Sequence, residues 1–451
     1  MKAIMPSFNK EISRPLYLQL YDYIKAAILE GEIKRDERLP SLRALAADLK
    51  VSLTTVSLAY NQLAVEGYIE PMANSGYYIK DVGTFAQSLV LSSEESVILP
   101  DIPDEPVIYD LSCFDFNKWK KCSNKVFTEY PQYLLFEGDP QGELPLRHEI
   151  SKYVYNSRGV TAKPEQIVIG AGTQQITAQL TRILNAMGII HAAMEEPGYM
   201  PVRNIFRDHG FVITPVPVAP DGIMIEKLPD NIRSAVYVCP SNQFPTGAVM
   251  PIGKRRDLLQ WAYKNSSIII EDDYDSELRY FGRPVPAMQG MDRGKCVVYL
   301  GSFSSTLFPS IKISYMILPE PMAEIFQKIK GNYTQTCSKA EQLTLSLFMK
   351  NGMYQTNIKK LRNLYGQKLQ KALSAISLYG SGRVRAINTT SGINIILEVA
   401  DSLSVESLCE RAAELNLSAV PADGKIIFYY NQIPLEEISP LIEEWFSRKD
   451  S

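Results

Sequence analysis

The sequence predicts an α/β protein with two folded parts: residues 1–80, which are mainly helical, and residues 111–451, which hold a large sheet. The first part shows three short helical patterns followed by a hairpin pattern. In the second part, strand and helix patterns alternate, which is typical of a mostly parallel sheet covered on both faces. Residues 81–110 contain seven acidic residues and neither lysine nor arginine, so we predict an extended acidic linker between the two parts.

Composition excludes several classes of protein. Of the 451 residues, 45% are hydrophobic and 22% are charged, which is ordinary for a globular protein. The longest apolar runs are strand-sized and fall short of the roughly 20 residues that a membrane helix needs. The first residues show no apolar signal-peptide core, and six scattered cysteines and three separated histidines favour reduced thiols over disulfides or a metal site. We therefore expect a cytoplasmic protein with no membrane segment and no bound metal.

The first part begins with an amphipathic helix. Pro15 precedes the run LYLQLYDYIKAAILEGEI, and Gly31 ends it. The apolar residues of this run recur at helical spacing and predict one buried stripe, which consists of Leu16, Leu20, Tyr23, Ile24, Ala27 and Ile28.

Two further helices and a hairpin follow. Ser41 is a typical N-cap for the run LRALAADL, and after a short turn Ser52 can cap LTTVSLAYNQLAV. The run IEPMANSGYYI indicates two strands joined around Asn74-Ser75-Gly76. Helix, helix, turn, helix and hairpin are the elements of a winged helix-turn-helix. An all-helical dimerisation or capping domain is the alternative interpretation.

The spacing of motifs favours the winged helix-turn-helix. The pattern L-P-S-x-R-x-L-A-x-x-L-x-V-S, then T-V, then A-Y-x-x-L-x-x-E-G-Y, resembles the GntR family of bacterial regulators across almost all of residues 1–80. That resemblance implies binding to a double-stranded DNA operator. The predicted DNA contacts are Arg43, Ser52, Thr54, Thr55, Ser57, Ser75 and Gly76.

The charge of this part departs from the family pattern. GntR domains usually carry arginine directly after the V-S turn, where this chain has Leu53. Residues 1–80 hold ten lysines and arginines against nine acidic residues. Because phosphate contacts supply much of the affinity for DNA, we expect modest binding by one domain and dependence on two domains acting together.

The second part carries a series of motifs in a fixed order. These are GDPQGELPLR (138–147), VIGAGTQQ (168–175), MEEPGYMP (194–201), SNQFPTG (241–247), SIIIEDDYDSELRY (267–280) and YLGSFSSTLFPSIKISYMILP (299–319). The series resembles fold-type-I pyridoxal-phosphate enzymes, the aspartate aminotransferase family. Fusion of such a domain to a GntR domain is the arrangement of the MocR subfamily, which EDDYDSE and P-S-x-Q-F-P-T-G resemble specifically. This resemblance implies a homodimer.

The resemblance assigns roles to residues around a cofactor ring. Asp272 would pair with the pyridine nitrogen of pyridoxal 5'-phosphate, Tyr274 would donate to its phenolic oxygen, and Tyr199 would stack on the ring. Alternatively, Asp272 or Asp273 could cap the following turn, and either tyrosine could be a core aromatic.

Other residues fit a phosphate group. Gly172 and Thr173 follow a strand at the start of a helix, where free N–H groups favour an anion. Ser302 and Ser304 would add hydroxyl donors and Lys312 a cation, at a place where the family usually has arginine. A glycine-rich turn alone could also be no more than a tight strand–helix connection.

Ser305 contradicts the usual chemistry of this family. It stands where the resemblance places the lysine that forms the Schiff base, and a serine hydroxyl cannot form an imine with an aldehyde. The positions of a second effector cation and of an effector-binding arginine, near residues 201 and 432, hold Pro201 and Gln432. Any pyridoxal phosphate would therefore bind non-covalently.

Three functions are compatible with these residues. The first is a transcriptional regulator whose aminotransferase-like domain is a sensor of a small-molecule effector or a dimer scaffold. The second is an active aminotransferase with an appended regulatory domain, which requires Lys312 to replace the amine missing at position 305. The third is an architectural DNA-binding protein without a ligand.

Overall fold

The computed structural model describes residues 8, 14–72, 75–80, 110–273, 275–280, 285–387, 392–400, 403–422 and 424–447. The chain divides into two compact units, Met1–Asp101 and Ile102–Ser451. Most of the predicted acidic linker, together with Asn74 and Tyr274, lies outside the described residues. Within the described ranges, no helix is both long and apolar enough to cross a membrane.

The first unit contains the predicted three helices and hairpin. The helices are α1 (Leu16–Leu29), α2 (Leu42–Leu49) and α3 (Leu53–Val65), and the strands are β1 (Ile69–Met72) and β2 (Gly76–Ile79). The strands pair antiparallel, with Met72 opposite Gly76 at the turn. The winged helix-turn-helix prediction is confirmed.

Both predicted serine caps are present. The hydroxyl of Ser41 accepts from the backbone N–H of Ala44 at 3.2 Å, and that of Ser52 accepts from the N–H of Thr55 at 3.1 Å. Each hydroxyl satisfies a donor that the first turn of a helix leaves unpaired, so α2 and α3 begin where the sequence indicates.

The predicted stripe of α1 is correct only in part. Leu20, Ile24 and their neighbours Ala27 and Ile28 are buried, whereas Leu16 and Tyr23 are half-buried. Tyr21 is buried instead, because its hydroxyl donates to Glu66 and accepts from Lys25 at 2.7 Å while its ring packs in the core. Hydrophobic periodicity alone does not detect a polar group that finds its partner on another helix.

Helices and strands alternate along roughly the first two hundred residues of the second unit. Its helices are α4 (Phe116–Glu129), α5 (Leu144–Arg158), α6 (Thr173–Ala186), α7 (Met200–Asp208), α8 (Ile252–Lys264), α9 (Met288–Asp292), α10 (Glu320–Ile329), α11 (Lys339–Lys350), α12 (Met353–Tyr379), α13 (Val405–Glu414) and α14 (Ile438–Ser447). Its strands are β3 (Ile167–Ala171), β4 (His191–Glu196), β5 (Val212–Ala219), β6 (Gly222–Ile223), β7 (Ala235–Val238), β8 (Ile268–Asp272), β9 (Val297–Ser302), β10 (Ile313–Ile317), β11 (Val384–Ile387), β12 (Ile395–Val399), β13 (Ala419–Ala422) and β14 (Lys425–Phe428).

The larger sheet has the order β3-β10-β9-β8-β7-β4-β5-β6. Strands β9, β8, β7, β4 and β5 are parallel neighbours, and β10 and β6 run antiparallel to the strands beside them. The predicted mostly parallel sheet is confirmed. Because parallel strands end at one edge, Ala171, Asp272 and Ser302, which end β3, β8 and β9, lie along that edge.

A second, antiparallel sheet of order β11-β12-β14-β13 follows the long helix α12. Its apolar residues pack with α12, α13 and α14 around Trp445, which is fully buried. The loop after β14 brings Tyr429 back towards the edge of the larger sheet.

Candidate ligand pocket and DNA-binding surface

A cavity of about 530 Å³ lies at the carboxyl edge of the larger sheet. Its lining includes eight of the nine predicted cofactor residues: Gly172, Thr173, Tyr199, Asp272, Ser302, Ser304, Ser305 and Lys312. The ninth, Tyr274, lies outside the described residues. The chain therefore brings together residues that are up to 140 positions apart in sequence (172 to 312).

One end of the cavity suits an anion. Gly172, with φ +86°, turns the chain from β3 into α6, a helix whose first N–H groups receive no side-chain cap. The Ser314 hydroxyl donates to that of Ser302 at 3.0 Å, and the backbone N–H of Ser304 donates to Ser302 at 3.3 Å. Lys312 adds an exposed cation to the same lining. Hydroxyl and N–H donors around a helix N-terminus are the groups that bind phosphate.

The two neighbouring aspartates have different roles. Asp273 is buried and forms a forked ion pair with Arg158, at 2.9 and 2.8 Å, and it also accepts from the hydroxyls of Ser276 and Tyr299. Burial alone would raise the pKa of Asp273, but the Arg158 guanidinium and these hydrogen bonds hold it below its usual range. Asp273 therefore stabilises the fold.

Asp272 instead presents its carboxyl group to the cavity. It accepts a hydrogen bond from the hydroxyl of Tyr237, which lies on the adjacent strand β7. Burial raises the pKa of Asp272 to about 6, although the Tyr237 hydrogen bond opposes that rise. Asp273, rather than Asp272, accepts a hydrogen bond from the turn that follows, through the hydroxyl of Ser276 at 2.6 Å.

A third carboxyl group lies nearby on β4. Glu195 is buried and accepts from the backbone N–H of Cys239 at 3.2 Å and from the amide of Gln243 at 3.3 Å. Its other oxygen has no hydrogen-bond partner among the described residues. Burial raises the pKa of Glu195 to about 8. Sequence analysis does not select this group, because a single glutamate at a strand end is common.

Pro201 and Gln432 stand at the positions that the resemblance assigns to effector-binding cations. Gln432 is exposed and Pro201 lies in the first turn of α7, and neither lines the cavity. Tyr429, three residues before Gln432, lines the cavity. The register of a loop between a strand and a helix is not set by hydrophobic periodicity.

Sequence reasoning also missed other lining residues. These are Ala171, Gln174, Cys239, Phe244, Asp273, Asp275, Glu277, Ser314 and Tyr429. The ring of Phe244 meets that of Tyr199 edge to face, with centroids 6.3 Å apart. Ser314 was detectable, because in the antiparallel pair of β10 and β9 it lies opposite Ser302.

The predicted DNA contacts occupy the first unit. Arg43 on α2 and Thr54 on α3 are exposed, while Thr55 and Ser57 are half-buried. The hydroxyl groups of Ser52 and Thr55 are hydrogen-bonded to each other, with 2.8 Å between their oxygen atoms.

Comparisons with known proteins identify both units. Residues 16–79 match the bacterial regulatory proteins of the gntR family, and residues 113–400 match aminotransferase class I and II. The uncharacterized regulator YdeL of Bacillus subtilis is 38% identical over 97% of this chain and 94% of its own length. The probable rhizopine catabolism regulatory protein MocR of Rhizobium meliloti is 34% identical over 82% and 78%. The chain is a MocR-type member of the GntR transcriptional regulators.

Further similarities agree with this assignment. The pyridoxine biosynthesis regulator PdxR of Corynebacterium glutamicum is 29% identical over 95% of both chains. Among solved structures, the α-aminoadipate aminotransferase LysN of Thermus thermophilus has a TM-score of 0.66 at 24% identity. That similarity covers 75% of this chain and 89% of LysN, and it shows the fold of the second unit.

Proposed function

We propose that this MocR-type regulator binds an operator through its first unit and uses its second unit as a non-catalytic sensor of a phosphorylated pyridine. The observation that carries this proposal is the single cavity that gathers the phosphate-binding features, Asp272 and Ser305. A dimer scaffold with no ligand is the competing proposal.

The lining residues fit pyridoxal 5'-phosphate. The N-terminus of α6, Ser302, Ser304 and Lys312 would hold the phosphate, and Asp272 would keep a proton on the pyridine nitrogen. Tyr199 supplies an aromatic face at the cavity wall. When bound, the cofactor would supply a reactive aldehyde and an electron-withdrawing ring. The carboxyl group of Asp272 is already oriented by Tyr237, so ligand binding requires little reorganisation there.

Catalysis would require an amine at the place of Ser305. Ser305, the residue predicted at the place of the lysine, lines the cavity, and so does Lys312, which we propose holds the phosphate. A general base must reach the proton that it moves, and Lys312 would be engaged by the phosphate instead. We therefore propose reversible, non-covalent binding and no transaminase activity.

The proposed assembly is a homodimer. Tyr133, Leu135 and Phe136 precede α5 and are 55%, 84% and 72% exposed. Large apolar side chains grouped in one segment commonly mark a protein–protein interface. We propose that a second copy of this chain covers them, which would also place two DNA-binding units on one operator.

A gain-of-function variant tests the sensor proposal. We expect the wild-type protein to be colourless, with no transaminase activity and no borohydride-trapped adduct on Ser305 or Lys312. A Ser305→Lys variant should turn yellow with pyridoxal phosphate, and peptide mapping after borohydride should place the adduct at residue 305. Ser310→Lys is the matched control, because Ser310 belongs to the same segment but does not line the cavity. A Ser305→Lys protein that stays colourless with excess cofactor would favour the scaffold.

A further inference from the structure

Residues 36–39 pair with strand β2 of the wing through an isolated antiparallel bridge. The backbone N–H of Leu39 donates to the carbonyl of Tyr77 at 2.8 Å, and that of Ile79 donates to Glu37 at 3.1 Å. Arg38 thereby lies directly opposite Tyr78 of β2. This pairing fixes the position of Arg38 on the wing.

The alternation of side chains places Arg38 on the outer face of the wing. Leu39 and Ile79 are 2% and 3% exposed and belong to the core, and Tyr77 packs edge to face on Tyr60. Arg38, which alternates with Leu39, is exposed. Successive residues of a strand face opposite sides, so Arg38 shares the solvent side with Tyr78 and with its diagonal neighbour Gly76.

The guanidinium of Arg38 lies across the turn of the wing. A Cβ atom added to Gly76 would be 3.3 Å from Nε and 3.6 Å from Nη2 of Arg38. Gly76 also has φ +106°, which side-chain-bearing residues rarely adopt. Beside it, the hydroxyls of Ser75 and Tyr78 are 2.7 Å apart. An exposed cation and two half-buried hydroxyl-bearing residues therefore occupy one corner of the unit.

Lys34, Arg43 and Lys50 are exposed cations of this unit, as is Arg38, but four others are already paired. Arg14, Lys25, Arg35 and Lys80 each form an ion pair with an acidic residue of the same unit. Within residues 14–72 and 75–80, Arg38 forms no such pair. The recognition helix begins with Leu53, so it contributes no cation at its start.

We propose that Arg38 is a DNA-contacting residue that binds a backbone phosphate beside the wing and supplies the cation missing at position 53. The planar guanidinium fork matches a phosphate group, and Gly76 leaves room for it to lie flat on the turn. This assignment adds a residue that motif resemblance does not select.

Substitutions in the full-length protein test the proposal. The probes are a mixed-sequence duplex and a duplex selected from a random pool by the wild-type protein. Arg38→Ala should weaken binding to both by about tenfold or less and lower the slope of log affinity against log salt by about one. Arg38→Lys should recover part of the loss. Arg35→Ala is the control, because Arg35 is also exposed but pairs with Asp36. Unchanged binding, or a loss confined to the selected duplex with an unchanged slope, would overturn the proposal.

A double-mutant cycle with Gly76 tests the geometry. Gly76→Ala should displace the guanidinium, so it should weaken binding more when Arg38 is present than in an Arg38→Ala background, where only the predicted contact of Gly76 itself is affected. Thermal unfolding of each variant measures the backbone strain separately. Equal losses of DNA affinity in both backgrounds would show that the position of Arg38 over Gly76 is irrelevant, and the assignment would fall.

Discussion

Asp110 and Lys368 form a buried ion pair, with 2.6 Å between the carboxylate and Nζ. The Lys368 side chain is 0% exposed, and the same Nζ donates to the carbonyl of Asn431 at 2.7 Å. Asp110 also accepts from the backbone N–H of Ser112 at 2.8 Å. The residue at the predicted end of the acidic linker is thus fixed to α12 and to the loop that follows the cavity residue Tyr429.

Removing Lys368 should destabilise the second unit. Lys368→Met leaves the Asp110 carboxylate buried without a counter-charge, which should lower the free energy of unfolding by about 3–5 kcal/mol. Lys371→Met is the matched control on the same helix, because Lys371 donates to the Leu435 carbonyl but pairs with no acid among the described residues. This substitution should lower the free energy of unfolding by about 1 kcal/mol. Urea unfolding at neutral pH measures both, and equal losses would contradict the prediction.

The two neighbouring aspartates should respond in opposite ways. Asp273→Asn breaks a buried pair with Arg158 and should cost on the order of 3 kcal/mol of stability. Asp272→Asn should leave stability unchanged or slightly higher, since burial disfavours its charged form, but should weaken binding of pyridoxal phosphate. Urea unfolding and equilibrium titration separate the two effects. Loss of ligand binding by Asp273→Asn alone, with Asp272→Asn unaffected, would reverse the assignment.

Local features of the sequence predicted much of the architecture. Ser41 and Ser52 are recognisable as N-caps because a cap acts within three residues. Asp272 and Ser302 can be placed near each other because the strands of a parallel sheet end at one edge. Such signals act over short distances or follow from the topology. The resemblance to the aminotransferase family indicated eight lining residues of the cavity without any knowledge of contacts.

Partners distant in sequence could not be predicted. The pair of Arg158 and Asp273 joins residues 115 positions apart, and Tyr429 reaches the cavity from the second sheet. Neither leaves a periodic pattern. The packing of the tertiary structure brings Arg158 to Asp273 and Tyr237 to Asp272, and the sequence around the two aspartates indicates neither partner.

Stability should fall with rising pH because of Glu195. Its pKa is about 8 in the folded protein and 4.5 as its ordinary value, so between these values the folded state holds a proton that the unfolded state has released. The contribution of Glu195 to stability is therefore fully present below about pH 4.5 and is lost as pH rises towards about 8. Glu195→Gln should remove this loss. The free energy of unfolding of the variant, measured relative to wild type, should therefore be higher at about pH 9 than at about pH 5 by on the order of a few kcal/mol. Chemical unfolding at both pH values checks this, and a difference independent of pH would contradict it.

The exposed segment before α5 should hold two copies of the chain together. Leu135 and Phe136 present large apolar surfaces, and burying such a side chain contributes about 1.5–3 kcal/mol. We expect the wild-type protein to sediment as a homodimer at micromolar concentration and Leu135→Asp to shift it towards monomer, since a buried unpaired carboxylate would oppose association. Leu378→Asp is the control, because Leu378 is 68% exposed near the end of α12, away from this segment in sequence. A wild-type monomer would contradict the proposed assembly, and a dimer unaffected by Leu135→Asp would place the interface elsewhere.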